Sequence, residues 1–240
     1  PVNCRPVEWG ADIVTHSTTK YMDGHANAVG GAIVDSGRFD WNAHADKFPG
    51  LTTPDESYHG VTYTERFGLE GAYITKATAQ LMRDFGAIPA PMNAYLLNVG
   101  LETLPLRMAR HCENALAVAR FLKGHPKVSW VRYPGLEGDP YYERARKYLP
   151  NGTCGVVSFG VKGGREAASK FMAGLKLASI ATHVADAKTC TLHPASTTHR
   201  QMTDEELAAA GVSPDLVRLS VGIEDIRDIL DDVDQALAGV

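Results

Sequence analysis

No apolar run in this sequence approaches the roughly 20 residues of a membrane-spanning helix, so no such helix is expected. No Lys/Arg-rich run marks a nucleic-acid or anionic-membrane surface. The 24 basic and 28 acidic residues are mixed along the chain and leave a net charge of −4. Cysteine is scarce. Cys4, Cys112, Cys154 and Cys190 are scattered, with no Cys-x-x-Cys and no zinc-ribbon spacing. Isolated cysteines of this kind point to a reducing compartment, read here as the cytoplasm. Signal-peptide and transit patterns are missing, and so are internal repeats and low-complexity tracts. An initiator methionine is missing too. Pro1-Val2-Asn3-Cys4-Arg5-Pro6 has no helix or strand pattern and reads as the middle of a connection. The chain is therefore expected to be the C-terminal portion of something longer.

What remains is an ordinary globular composition, 44 % hydrophobic and 22 % charged over 240 residues. That length can bury a sizeable core in one large domain or two modest ones. Short β-branched runs predict strands over Ala11–Thr15 and Val29–Val34. Residues 38–70, rich in Trp, Tyr, His, Pro and Gly, read as a long irregular excursion of the kind that carries function. Helical spacing follows over Ala72–Gly86, Met92–Leu104 and Arg107–Gly124. The last of these sets Met108, Cys112, Ala115, Ala119 and Leu122 on one face. A boundary between subdomains is expected there, dividing 1–105 from 106–240. The second part alternates strand patterns (Val128–Tyr133, Gly155–Val161, Ala178–Val184, Val217–Val221) with helical ones (Arg165–Leu175, Ile226–Leu237). Interleaving of this kind predicts an α/β layer fold.

Three stretches carry chemistry. In D-I-V-T-H-S-T-T-K (12–20), Ser17 and Thr19 precede Lys20 just after a predicted strand. Hydroxyls and turn N–H groups can hold a phosphate, and a deprotonated lysine can form a Schiff base with an aldehyde. Pyridoxal 5′-phosphate is one cofactor with both groups. Taken alone, a solvated loop lysine accounts for the pattern more readily. Arg218, inside the apolar strand V-R-L-S-V (217–221), is costly unless an anion pairs with it. Its planar fork suits a carboxylate, and the competing reading is the open face of an edge strand. His193-Pro-Ala-Ser-Thr-Thr-His199 has poor metal spacing and no acidic residue, so it reads as a polar turn shaping a pocket, with no metal. Ser17-Thr18-Thr19-Lys20 also fits the Ser-x-x-Lys of penicillin-recognising acyl enzymes. That motif arises by chance about once in a chain of this length, and the Ser-Asp-Asn and Lys-Thr-Gly companions are missing.

Taken together, G-A-D-I-V-T-H-S-T-T-K-Y (10–21), G-G-A-I-V-D-S-G (30–37), G-L-E-T-L-P-L-R-M-A-R-H-C-E-N-A (100–115), H-P-A-S-T-T-H (193–199) and V-R-L-S-V-G-I-E-D (217–225) resemble the Cys/Met-metabolism family of pyridoxal-phosphate enzymes. The excursion at 38–70 resembles the insertion of its O-acetylhomoserine sulfhydrylases. The resemblance implies the C-terminal part of a fold-type-I PLP-dependent transferase, the end of the large α/β domain plus a smaller α/β domain. It implies pyridoxal 5′-phosphate as cofactor, with Lys20 as the Schiff-base lysine and Ser17 and Thr19 on its phosphate. Arg218 matches the arginine that holds the substrate carboxylate, and Thr198 matches a helper. His183 stands where the family usually has serine or asparagine in the substrate pocket. The implied reaction is γ-replacement on O-acetyl-L-homoserine by sulfide or methanethiol, in a cytoplasmic dimer of dimers. Cystathionine γ-synthase or methionine γ-lyase activity, or a non-catalytic remnant, stand as alternatives. The resemblance further implies that the partners of the cofactor ring lie in a preceding half outside these 240 residues, so this portion alone is expected to be inactive.

Overall fold

The structure, a computed structural model, describes residues 1–240. The chain divides into two compact units. One comprises Arg5–Thr18 and Val29–Tyr95; the other comprises Pro1–Cys4, Thr19–Ala28 and Leu96–Val240. The division follows contacts rather than the single cut after residue 105. No helix is long and apolar enough to cross a membrane.

In the first unit, β1 (Ile13–Ser17) and β2 (Gly31–Asp35) form an antiparallel pair running from Ile13↔Asp35 to Ser17↔Gly31. The excursion is more ordered than its composition predicts. It holds short 3₁₀ turns, α1 (Pro49–Thr52) and the start of α2 (Tyr63–Lys76). The helix expected from Ala72 thus begins at Tyr63. Gly68, at φ 68° and ψ 176°, interrupts the helical geometry of α2 and hides its period. The coil then widens into π-turns over Ala77–Met82 and ends with α3 (Arg83–Phe85) at Gly86, whose φ of 67° is left-handed. Trp41, Leu51, Tyr63 and Ala72 form the core, with Tyr73 stacked 5.7 Å from Trp41. Most of the excursion's aromatics therefore serve packing.

The boundary between units falls inside α4 (Pro91–Glu102). The second unit continues with α5 (Leu104–Gly124), β3 (Val128–Arg132), α6 (Tyr142–Tyr148), β4 (Val156–Val161), α7 (Gly164–Gly174), β5 (Ser179–Ile180), β6 (Cys190–Leu192), α8 (Asp204–Ala209), β7 (Leu216–Ser220) and α9 (Ile226–Ala238). Its sheet has the order β3-β4-β7-β6-β5 and is antiparallel except between β5 and β6. Val157, Phe159, Val217 and Leu219 of the sheet join apolar residues of α5, α7 and α9 in one buried cluster. Each large side chain so buried contributes about 1.5–3 kcal/mol. The fold is α/β, as the alternating pattern predicts. Two expectations are corrected. The strand over Ala178–Val184 contracts to Ser179–Ile180, and β6, α6 and α8 form where no element is expected.

Candidate active site

β7 lies in the interior of the five-stranded sheet, between β4 and β6. Alternation along the strand sends Val217 and Leu219 into the core and Arg218 to the opposite face. The edge-strand reading of Arg218 is thereby excluded. Its Nη2 donates to the carbonyls of Thr182 (2.9 Å) and His183 (3.3 Å). No carboxylate forms an ion pair with it, although burial pushes its pKa down. A guanidinium remains charged under such a shift, so this is a partly buried cation without an anion.

The same contacts explain the lost strand. The ladder ends where the Ala181 N–H donates to Thr191 O at 3.0 Å. The next carbonyls go to Arg218, and the Ala185 N–H, at φ 71°, donates to Ser220 Oγ at 2.8 Å. Backbone groups committed to side chains cannot pair with a neighbouring strand, so residues 181–186 form a loop over β7.

His183, on that loop, meets Lys20. Lys20 Nζ lies 3.4 Å from His183 Nδ1. Burial lowers the His183 pKa, and the Lys20 charge adds to this. A neutral ring can accept from the lysine at Nδ1. Its Nε2 is buried with no partner. His183 therefore links two of the residues singled out in the sequence, with its ring on Lys20 and its carbonyl on Arg218. Ser17 is the exposed last residue of β1, and Thr19 is partly buried beside Lys20 in the chain. Thr198 is exposed and pairs with His199 Nδ1 at 2.9 Å; no hydrogen bond joins it to Lys20, His183 or Arg218. His193 is structural. Its Nε2 donates to Pro214 O and its Nδ1 accepts from Ser196 Oγ, both at 2.8 Å. No His, Cys, Asp and Glu side chains cluster as metal ligands.

Sequence reasoning missed several residues around Lys20. Asp23 is only 2 % exposed; its Oδ2 accepts from the N–H groups of His25 and Asn27, while Oδ1 has no partner. The Asp23-Gly24 pair was the available signal. Gly24, at φ 74°, closes the turn by donating its N–H to Lys20 O at 2.8 Å. Buried Arg107 donates to Tyr21 O (2.8 Å), Met22 O (3.4 Å) and Gly100 O (2.7 Å). The Tyr21 hydroxyl accepts from the Gly155 N–H at 2.8 Å.

The fold and these contacts define a class: an α/β protein that gathers an amine, an imidazole and an unpaired guanidinium in one unit. The profile of the Cys/Met metabolism PLP-dependent enzymes matches residues 1–238, and the chain belongs to that family. It is 52 % identical to homocysteine synthase of Schizosaccharomyces pombe over 97 % of this chain and 54 % of that protein. It is 48 % identical to O-acetyl-L-homoserine sulfhydrylase of Leptospira meyeri over 100 % of this chain and 56 % of that one. A crystal structure of a putative O-acetylhomoserine (thiol)-lyase from Campylobacter jejuni, solved with N′-pyridoxyl-lysine-5′-monophosphate, superposes with a TM-score of 0.89 at 37 % identity. That match covers 98 % of this chain and 56 % of the solved one. The chain spans about half the length of the curated relatives it matches.

The residues present fit the family's cofactor. Lys20 offers an amine, Ser17 and Thr19 offer hydroxyls beside it in the chain, and the unpartnered His183 Nε2 is a polar position left for a ligand.

Proposed function

We propose that this chain serves as the C-terminal portion of an O-acetylhomoserine sulfhydrylase. It would replace the acetate of O-acetyl-L-homoserine by sulfide or methanethiol, giving homocysteine or methionine. The observation that carries the reading is the meeting of Lys20 and His183 beside a partly buried Arg218 that has no anionic partner. The names of relatives that match nearly the whole chain support the substrate class. In this reading residues 1–105 close the large cofactor-binding domain and residues 106–240 form the small one. The enzyme works as a dimer of dimers in the cytoplasm, where its four free thiols stay reduced.

Lys20 holds pyridoxal phosphate through Nζ, and Ser17 and Thr19 bind the phosphate oxygens. The bound cofactor supplies an electron sink. Arg218 takes the substrate α-carboxylate with the donors its backbone partners leave open, replacing the missing counter-ion. Binding at that fixed point orients the Cα–H bond toward Lys20. Once free, the amine of Lys20 accepts the Cα proton at Nζ and returns it later in the cycle. Neutral His183 accepts from Lys20 at Nδ1 and can donate at Nε2 to the substrate carboxylate. Thr198 joins as a helper once substrate is bound. The net change breaks the Cγ–O bond, releases acetate and forms a Cγ–S bond.

The test uses a polypeptide of the relatives' length that carries this chain. After borohydride reduction, peptide mass spectrometry should find the cofactor on Lys20. Lys20→Ala should lose both that adduct and turnover. An adduct on another lysine, or normal turnover in the variant, would refute the assignment.

A further inference from the structure

Helix α5 buries three polar side chains on one side: Arg107, His111 and Asn114. All three lie in the L-R-M-A-R-H-C-E-N-A stretch (106–115), and the reaction above uses none of them. Besides the bonds of Arg107 to Gly100 O and the Thr103 hydroxyl, their partners are backbone carbonyls of two more distant segments. Arg107 donates to Tyr21 O and Met22 O, the two residues that follow Lys20. His111 Nδ1 donates to Val221 O at 2.7 Å. Asn114 Nδ2 donates to Gly222 O and Glu224 O, each at 3.0 Å. These carbonyls directly follow β7, which bears Arg218. The segment after Lys20 also touches the middle of the stripe, because the Tyr21 ring packs edge-on against His111 at 5.1 Å.

The stripe keeps this arrangement at a cost. His111 Nε2 and Asn114 Oδ1 are buried with no partner, and an unsatisfied buried polar atom lowers stability. Apolar side chains on a core-facing helix would avoid that cost. What they could not do is hold a carbonyl at a defined position. A helix is also the stiffest element available for referencing one loop to one strand end.

We propose that Arg107, His111 and Asn114 are positioning residues that set the Lys20 amine relative to the Arg218 guanidinium. The proposal rests on the roles given to Lys20 and Arg218 above. Arg107 fixes the chain just beyond the lysine, and His111 and Asn114 fix the chain just beyond the strand of the arginine. Each anchor keeps its own ligand when the stripe is weakened. What changes is the alignment of a carboxylate-held Cα–H bond with the amine that takes the proton.

The experiment uses the full-length holoenzyme. Arg107→Lys keeps the charge, but one ammonium cannot reproduce the guanidinium's fork of bonds. His111→Leu removes the ring donor, and His111→Asn restores an amide N–H close to the Nδ1 position. Borohydride trapping at Lys20, melting temperature, kcat and KM are measured for each. Trapping should persist in all three variants, and KM should stay within about threefold. The kcat of Arg107→Lys and His111→Leu should fall about 10- to 100-fold, since a displacement of about 1 Å has that effect. His111→Asn should recover most of the loss. Unchanged kcat in Arg107→Lys and His111→Leu overturns the proposal. So does a fall in kcat that only tracks the fraction of folded holoenzyme, or a His111→Asn no better than His111→Leu. Should His111→Leu fail to fold, Arg107→Lys decides by the same measures. Absence of trapped cofactor on Lys20 in the unsubstituted enzyme refutes the Lys20 assignment instead, which separates the two failures.

Discussion

A histidine bonded through Nδ1 to a carbonyl is fixed as one neutral tautomer. His111 is such a residue. It is fully buried, its Nδ1 donates to Val221 O, and its Nε2 has no hydrogen-bond partner. Protonation at Nε2 would place an unpaired charge in the core, and burial accordingly lowers the His111 pKa. The stability consequence has a definite sign. Unfolded, the ring binds a proton below about pH 6.5, whereas the folded ring does so only at lower pH. Between those values the unfolded state holds more protons, so acidification weakens the fold. The full contribution is present above about pH 6.5. Urea midpoints should therefore fall on acidification from about pH 7 to about pH 5, and His111→Asn should flatten that slope. An identical slope in the variant would place the titration elsewhere. His183, whose pKa is also lowered, retains its share in both proteins. At this scale Arg218 stood out as a charge inside an apolar strand, whereas Lys20 stood out only through the resemblance of its whole motif to the family's. The sequence was silent on His111 and Asn114, both on a helix. A polar residue counts as outward on a helical wheel, and only a carbonyl from a distant segment makes it an inward one.

Element by element, the segments with an unbroken apolar pattern match their expected spans, and those whose pattern is interrupted or very short do not. α5, α7, α9, β4 and β7 match the predicted spans closely, because each has a continuous apolar face against the core. The missing part of the Ala178–Val184 strand depends on Arg218 and Ser220 taking backbone groups that no local pattern records. β6 is three residues long, too short for a period to appear. Gly100 in α4 is an element-scale feature with a measurable consequence. A Cβ there would collide with the carbonyl oxygens of Met22 and Asp23. Both are backbone atoms of the turn after Lys20, and Gly100 O also receives a bond from Arg107. The glycine thus lets the helix rest directly on that turn. Gly100→Ala should cost about 1–3 kcal/mol, as overpacking does, and should displace the Lys20 turn. Its denaturation midpoint and its rate of cofactor capture both check this. An unchanged midpoint would mean that the turn yields without strain.

Across the whole molecule the two units differ in how much they bury. The unit with the five-stranded sheet has a continuous core drawn from α5, α7, α9, β4 and β7. The unit of β1 and β2 has a core of Trp41, Leu51, Tyr63 and Ala72, while Val29, Phe85, Ile88, Met92 and Tyr95 are exposed. Its sheet has only two strands, so each offers an open edge. An isolated pair of strands is marginal in water, because too little apolar area offsets the ordering entropy. Hydrogen exchange tracks such differences in local stability. In this chain alone, amides of Ile13–Ser17 and Gly31–Asp35 should exchange far faster than those of Val156–Val161 and Leu216–Ser220. In a polypeptide of the relatives' length that gap should narrow, since added chain can cover the apolar side chains and the strand edges. Equal protection of all four strands in this chain alone would show that the two-stranded unit is stable by itself. The exposed residues would then need another explanation. A narrowed gap would show that β1 and β2 owe their protection to the added chain, whereas β4 and β7 are protected without it.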